Sequence, residues 1–211
     1  FKGMEEQLRS GWGALLKPLA WQGVLCYGPS RSSKVTFTNP ASFLKNWNGL
    51  PDPVEAAPAV IKRYLSAYGP ANPETFDAWL SRNSNKKSTL KGWFASLGEQ
   101  IVEVRVKDET RYLLAEHEDE LAATRPSRAT HLLGAFDQFV LGPGTKDTHM
   151  LANKHRSRVS KAAGWIAPVL TQGGRITGVW EMDDGNLVVT PFPGEQAPPS
   201  KVLEDAAARL A

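Results

Sequence analysis

The chain has 211 residues, a net charge of +3, 41% apolar residues and 22% charged residues, values that are ordinary for a globular protein and permit a polyanionic partner without requiring one. No apolar run approaches the roughly 18–20 residues that span a bilayer, and no signal peptide is recognisable, so we expect no membrane association. The single cysteine, Cys26, excludes an internal disulfide and fits a reducing cytoplasm.

The first predicted elements are a helix and a β-hairpin. Four apolar residues at positions i, i+3, i+4 and i+7 predict one face of a helix: Trp12, Leu15, Leu16 and Leu19. Pro18 lies inside this pattern and should kink the helix or move its start, and Gly23 is expected to end it. The apolar runs 24–27 and 34–37 then flank the polar turn "GPSRSS", which is typical of a hairpin.

Two further helices are predicted after this hairpin. The stretch "PVEAAPAVIKRYLSAYG" predicts a helix whose inward face is formed by Val60, Ile61, Tyr64 and Leu65. The stretch "NPETFDAWLS" predicts a second helix, with Asn72 as its N-cap and Pro73 in its first turn.

The helix-and-hairpin pattern then recurs. The spacing of the first helix is repeated by Leu90, Trp93, Phe94 and Leu97. The run "IVEVRV" alternates like a half-buried strand, "KDET" turns the chain, and "RYLL" returns as the second strand. Three helices followed by a hairpin make a winged helix, so we predict a complete one in residues 51–116. Residues 1–50 are predicted to hold an incomplete one, and because the chain starts at Phe1 in folded sequence we expect a fragment.

The C-terminal third, 128–211, is predicted to be rich in strands. The runs "IAPVLT", "RITGVWEM" and "NLVVTPF" predict a meander with turns at "QGG" and "DDGN". Asp137 in "AFDQFVLG" is expected on a strand, as a buried and hydrogen-bonded carboxylate. The end of the chain predicts a helix whose inward residues are Val202, Leu203, Ala206 and Leu210. The predicted fold class is therefore α+β.

Cations mark the parts of this fold that would meet nucleic acid. A winged helix contacts DNA through its third helix and its hairpin, or wing. The candidate nucleic-acid-binding residues are Arg31, Lys34, Lys86, Lys87, Lys91, Arg105, Lys107, Lys154, His155, Arg156 and Arg158. Arg111 is a further cation of the second wing, and Lys161 ends the basic segment that starts at Lys154. Each winged-helix cation alone is better explained as a solvated surface side chain, and only the set, spread over two copies of one fold, favours duplex DNA. The basic segment 154–161 is equally well explained as a solvated helix end or as a contact with the DNA backbone.

The motifs of common enzyme classes are missing from the sequence. There is no GxSxG, P-loop, HExxH or paired CxxC. His149 and His155 are six residues apart and neither is assigned an acidic or cysteine partner, so no metal site is expected. We therefore expect no cofactor, and a monomer.

The residues also carry a family likeness. "LLGAFDQFVLG" followed by "HRSRVSKAAGWIAPVLTQGGRITGVW" resembles the C-terminal signature of the winged-helix DNA glycosylases, the bacterial family of azinomycin-resistance and crosslink-unhooking enzymes. "GWGALLKPLAWQGVLCYGPSRSSKVTF" and "RYLSAYGPANPETFDAWLS" resemble the second and third winged helices of that family. The resemblance implies tandem winged helices, a C-terminal β-barrel-like domain, and excision of alkylated purines or unhooking of interstrand crosslinks.

One departure from the family pattern limits what is carried over. The family's catalytic motif is Gln-x-Gln or Gln-x-Asp in its first winged helix, and this chain contains neither. We therefore assign no catalytic residue and expect this chain alone to be inactive, with the catalytic winged helix absent from it. Two alternatives to a repair glycosylase stay open: a winged-helix regulator without chemistry, and a scaffold whose winged helices bind protein.

Overall fold

The structure, a computed structural model, describes residues 16–210 and divides the chain into two compact units after Ala56. The described part of the first unit is a small hairpin between two short helices. Its elements are α1 (Lys17–Trp21), β1 (Cys26–Tyr27), β2 (Phe37–Thr38) and α2 (Pro40–Phe43). The predicted hairpin is confirmed, with Tyr27 paired to Phe37 and the amide of Gly28 donating to the Thr36 carbonyl at 2.9 Å.

The first helix differs from its prediction in start and orientation. It begins at Lys17, which places Pro18 in the first turn, where the missing N–H is tolerated. Leu19 is exposed, so its predicted inward position is wrong. Trp12, Leu15 and the segment 4–10 lie outside the described residues.

Three helices build the first core of the second unit. They are α3 (Pro53–Tyr68), α4 (Pro73–Ser81) and α5 (Lys87–Ala95). Helix α4 starts with a reciprocal cap in which the Asn72 side chain accepts from the Thr75 amide at 2.8 Å and the Thr75 hydroxyl accepts from the Asn72 amide at 3.2 Å. The core buries most of the predicted apolar faces, namely Ile61, Tyr64, Leu65, Leu90, Phe94 and Leu97. It also buries Phe76 of α4, for which no inward face was predicted.

A two-stranded hairpin follows these helices and closes their core. It consists of β3 (Ile101–Val106) and β4 (Glu109–Leu114), paired antiparallel, and Leu114 lies in the helical core. Ala71, between α3 and α4, exchanges both backbone hydrogen bonds with Tyr112 at 2.8 and 3.0 Å. The order along the chain is therefore helix, bridge, helix, helix and hairpin.

The rest of the second unit is a four-stranded antiparallel sheet with short helices. Its strands are β5 (Thr130–Leu133), β6 (Val169–Gln172), β7 (Arg175–Asp183) and β8 (Asn186–Pro191), in the order β5-β6-β7-β8. The helices are α6 (Glu118–Ala123), α7 (Gln138–Leu141), α8 (Arg156–Val159) and α9 (Ser200–Ala207). The α+β class and the predicted meander are confirmed.

Three expectations for this part are wrong. The sheet is open, since β5 and β8 are its edges and do not pair with each other, so the described residues form no closed barrel. Asp137 does not lie on a strand: its carboxylate caps α7 by accepting from the Phe139 amide at 2.8 Å. Val202 in α9 and Leu210 after it are exposed, so their predicted inward positions are wrong. Leu203 and Ala206 provide the packing of this helix.

Helix α3 is joined to α7 through two tyrosines. The Tyr64 hydroxyl donates to the Gly142 carbonyl at 3.1 Å, and the Tyr68 hydroxyl donates to Gln138 Oε1 at 3.2 Å. Gly142 is buried directly against the Tyr68 ring. The absence of a side chain at this position therefore allows the close approach.

We expect Gly142→Ala to lower the free energy of unfolding by about 1–3 kcal/mol, because the added methyl group would overlap the Tyr68 ring. Urea denaturation measures the change. Gly134→Ala is the matched control, since its Cβ would have no neighbour within 4 Å, and it should change the free energy by less than about 0.5 kcal/mol. A Gly142→Ala variant as stable as the wild type would contradict the packing described.

Candidate nucleic-acid interface

Three lysines lie at the N-terminal end of α5. Leu90 and Phe94 face the core, which leaves Lys87 and Lys91, one turn apart, on the exposed side of the helix. Lys86 precedes the helix and is also exposed. None of the three takes part in an ion pair among the described residues. Within residues 16–210, these three ammonium groups therefore have no carboxylate at ion-pair distance.

A groove of about 530 Å³ runs beside these lysines, between α4, α5 and the hairpin β3–β4. Lys87 and Lys91 line it together with Glu74, Glu103 and Tyr112. Burial raises the pKa of Tyr112, and the hydrogen bond to Glu103 Oε1 at 3.2 Å raises it further. Because the two carboxylates would repel a phosphate, an anion is favoured at the lysine rim of the groove and disfavoured along the Glu74 and Glu103 side.

The hairpin adds two exposed cations near its tip. Arg105 is exposed on β3 opposite Thr110. Lys107 occupies the turn with φ +54°, a left-handed conformation, and is also exposed. Both side chains are therefore accessible, and their contact with nucleic acid stays a prediction.

Arg111 is not available as a wing contact, and its predicted role is wrong. The residue is buried, and its Nη1 donates to Asp147 Oδ2 at 2.9 Å while its Nη2 donates to Glu109 Oε2 at 3.0 Å. Nη1 also lies 3.4 Å from the Pro70 carbonyl. Burial alone would lower the pKa of Arg111, but the hydrogen bonds and charges of Asp147 and Glu109 outweigh it and raise that pKa.

His149 lies beside two acidic side chains, Asp147 two residues before it and Glu109 of the hairpin, so the expectation that it has no acidic partner is wrong. Its Nε2 lies 3.8 Å from Glu109 Oε2, and its amide donates to Asp147 Oδ1 at 2.8 Å. Glu109 is distant along the chain, so only the docking of the hairpin brings the two side chains together. Among residues 16–210 no group of three or more histidine, cysteine or acidic side chains could hold a metal ion.

The basic segment 154–161 separates into exposed and buried cations. Lys154, Arg158 and Lys161 are exposed, and Arg156 is half-buried. His155 is only 4% exposed and stacks on Phe192 with ring centroids 4.5 Å apart. Its side chain is therefore not available to DNA, and its predicted contact is wrong. Burial lowers the pKa of His155, and the charges of Lys154 and Arg158 lower it further.

The remaining predicted contacts lie at the tip of the hairpin in the first unit. Arg31 and Lys34 are both exposed, and they exchange backbone hydrogen bonds at 3.0 and 3.1 Å across the turn. Behind them, Tyr27 and Phe37 stack with ring centroids 5.3 Å apart. The turn therefore presents two cations from one face of a small, internally bonded hairpin.

Breaking the buried ion pair should be strongly destabilising. We expect Asp147→Asn to lower the free energy of unfolding by about 3–5 kcal/mol, because it leaves the Arg111 charge without its buried partner. Chemical denaturation measures this value. Glu109→Gln removes the more exposed partner and should cost less than about 1 kcal/mol. Equal effects of the two substitutions would contradict the assignment of Asp147 as the principal partner.

The lowered pKa of His155 predicts an acid-dependent loss of stability. In the unfolded chain this histidine takes up a proton near pH 6.5, its ordinary value, whereas the folded chain does so at lower pH. Stability is therefore complete above about pH 6.5 and falls as the pH drops from there towards the lowered pKa. Thermal melts at pH 7.5 and 5.5 measure this loss. Between these pH values the melting temperature of His155→Phe should fall by less than that of the wild type. The exposed His131, replaced by Gln, should leave the wild-type difference unchanged.

Comparison with known proteins places the chain in a family. The family described as DNA glycosylase AlkZ-like matches residues 2–211. An interstrand DNA cross-link repair glycosylase of Streptomyces sahachiroi is 57% identical over 212 residues, which cover 100% of this chain and 57% of that protein. The solved structure of Streptomyces sahachiroi DNA glycosylase AlkZ matches with a TM-score of 0.90 and 57% identity, over 100% of this chain and 57% of that one.

The chain thus spans 57% of the length of the relatives it matches. These matches do not support the expectation that a catalytic winged helix is absent from this chain. That expectation therefore stays a prediction. In the described residues, no helix is long and apolar enough to cross a membrane. The resemblance inferred from the signature residues is confirmed at the level of the family: the chain belongs to the DNA glycosylase AlkZ-like family.

Proposed function

We propose that this chain binds duplex DNA as part of a repair glycosylase that acts on alkylated or cross-linked bases. The observation that carries the proposal is the set of exposed lysines at the start of α5, which form no ion pair among the described residues, together with the exposed Arg105 and Lys107 of the hairpin. Family membership supports the glycosylase class, and the name of the Streptomyces relative supports interstrand crosslinks as a substrate class.

The winged-helix architecture is part of this proposal. Helix α3, the Ala71 bridge, α4, α5 and the hairpin β3–β4 follow one another in the order of a winged helix, with α5 in the place of its third helix. We assign the complete winged helix to residues 51–116, a partial winged helix to residues 1–50, and a β-rich domain to residues 128–211. In such a fold α5 would approach a groove of the duplex while the wing contacts the adjacent backbone.

The proposed contacts are mainly with phosphates. Lys86, Lys87 and Lys91 on α5 and Arg105 and Lys107 on the wing are exposed cations, which suit phosphate oxygens whatever the base sequence. Glu74 and Glu103 would repel the backbone from one side of the groove and so fix the side on which it lies. Arg31, Lys34, Lys154, Arg156 and Arg158 would extend the contact in other parts of the chain. Duplex DNA as the partner would place the protein in the cytoplasm, at the nucleoid.

The chemical step is proposed for the whole protein, without an assigned catalytic residue. A glycosylase hydrolyses the N-glycosidic bond, so the released base and an abasic sugar are its products. The full-length protein, incubated with alkylated and with cross-linked duplexes, should release the modified base. Failure to release a base from either substrate, with DNA binding intact, would favour the alternative of a winged-helix regulator without chemistry.

We expect Lys86→Gln, Lys87→Gln and Lys91→Gln together to weaken binding to unrelated duplexes by similar factors. Each neutralised phosphate contributes roughly 0.9 to the slope of log affinity against log salt, so the triple variant should reduce the magnitude of that slope by up to about 2.7. A salt titration by fluorescence anisotropy measures the slope.

Two control variants make this test specific. Lys201→Gln removes an exposed cation from α9 and should leave the slope unchanged. Glu74→Gln removes a carboxylate from the groove beside Lys87 and should strengthen binding. A triple lysine variant with the wild-type slope would refute α5 as the DNA-binding helix, and binding that does not depend on salt would count against DNA as the partner.

A further inference from the structure

Two aromatic side chains stand exposed together in the second unit. Phe136 is 42% exposed and Trp165 is 53% exposed, and their rings meet edge to face with centroids 5.0 Å apart and an interplanar angle of 84°. They come from separate segments, one between β5 and α7 and the other between α8 and β6. We call these two residues the aromatic pair.

Both members of the aromatic pair are held by tight turns. Phe136 has φ +58°, a left-handed conformation that is strained for a bulky residue. The next residue, Asp137, caps α7 and so fixes the position of the Phe136 backbone. Trp165 closes its own turn, because its amide donates to the Ala162 carbonyl at 3.2 Å and its carbonyl accepts from the Lys161 amide at 2.8 Å. The exposed rings are therefore presented by fixed backbone.

The chain that leads to Trp165 is positively charged. Lys154, Arg158 and Lys161 are exposed and form no ion pair among the described residues. Aromatic faces that stack on bases, accompanied by cations that contact phosphates, are the combination by which proteins hold unstacked nucleotides. A purely apolar partner would leave these charges without a counterion. Nucleic acid supplies both groups that this surface suits, phosphates for the cations and bases for the rings.

We propose that the aromatic pair is a wedge that stacks against bases where duplex DNA is distorted. The proposal rests on the proposed function, since it requires the chain to bind duplex DNA. Apolar side chains inserted at a base step partly unstack it, and this costs less at a mismatched or damaged step than in intact duplex. The aromatic pair therefore favours distorted over intact DNA, whereas the lysines on α5 bind both.

The test compares the double variant Phe136→Asn, Trp165→Ala with the wild type, in the same protein that is used for the salt titration. Asn is chosen because it tolerates a left-handed backbone better than most residues. The probes are an intact duplex and the same duplex with one central mismatch, each carrying 2-aminopurine beside the central step. Affinity and 2-aminopurine fluorescence are both measured. Phe139→Ala is the matched control, because Phe139 is a similarly exposed aromatic (39%) on the adjacent helix with no ring contact to the aromatic pair.

The double variant should lose at least about fivefold in affinity for the mismatched duplex, the lower end of the effect of one lost base stack. Its affinity for intact duplex and its salt slope should stay at wild-type values, and the fluorescence increase on binding should disappear. Phe136→Tyr, Trp165→Phe keeps both aromatic faces and should retain the mismatch preference, which separates a stacking role from a fold defect.

Three outcomes would overturn the wedge: unchanged affinities for both duplexes, an equal loss for both duplexes, or loss of the mismatch preference in the aromatic-to-aromatic variant as well. These failures differ from failure of the proposed function. In that case the wild type itself would bind neither duplex, and the lysine variants would also have no effect.

Discussion

The buried guanidinium of Arg111 is the constraint on which the second unit depends. It joins three separate parts of the chain, since it donates to Asp147 after α7, to Glu109 at the start of β4 and towards the carbonyl of Pro70 between α3 and α4. A buried charge without partners would be very costly, so these three segments can hardly move apart while the protein stays folded. The hairpin is therefore held close to its turn, since Glu109 pairs with Val106 and Arg111 with Val104. The side chains of Arg105 and Lys107 stay exposed there and are available to a partner.

This constraint divides the cations of the second unit into two kinds. Arg111 is buried and stabilises the fold, and His155 is buried on Phe192 and kept neutral by its surroundings. The lysines on α5, the hairpin tip and the exposed members of the 154–161 segment remain unpaired among the described residues. These cations do not lie apart from all carboxylates, since Glu74 and Glu103 line the groove beside Lys87 and Lys91, and Asp108 follows Lys107 in the hairpin turn.

Local patterns predicted the helices and hairpins well, and long-range contacts account for what they missed. The apolar spacing of Ile61, Tyr64 and Leu65 fixes the inward face of α3, and the alternation in "IVEVRV" fixes β3. Nothing local distinguishes Arg111 from Arg105, because the difference is set by Asp147, which lies far along the chain. The run "AFDQFVLG" is apolar enough for a strand, but Asp137 is a helix cap and the segment becomes α7. Sheet closure depends on whether edge strands meet, which the strand patterns alone do not encode.

Amide hydrogen exchange of the protein, with and without duplex DNA, tests the central claim most directly. If α5 and the hairpin tip meet the backbone, DNA should slow exchange in residues 86–91 and 105–109. The turn at 183–186 between β7 and β8, which carries the acidic Asp183 and Asp184, should exchange at the same rate in both states. Protection of that acidic turn, with no change in residues 86–91, would contradict the account.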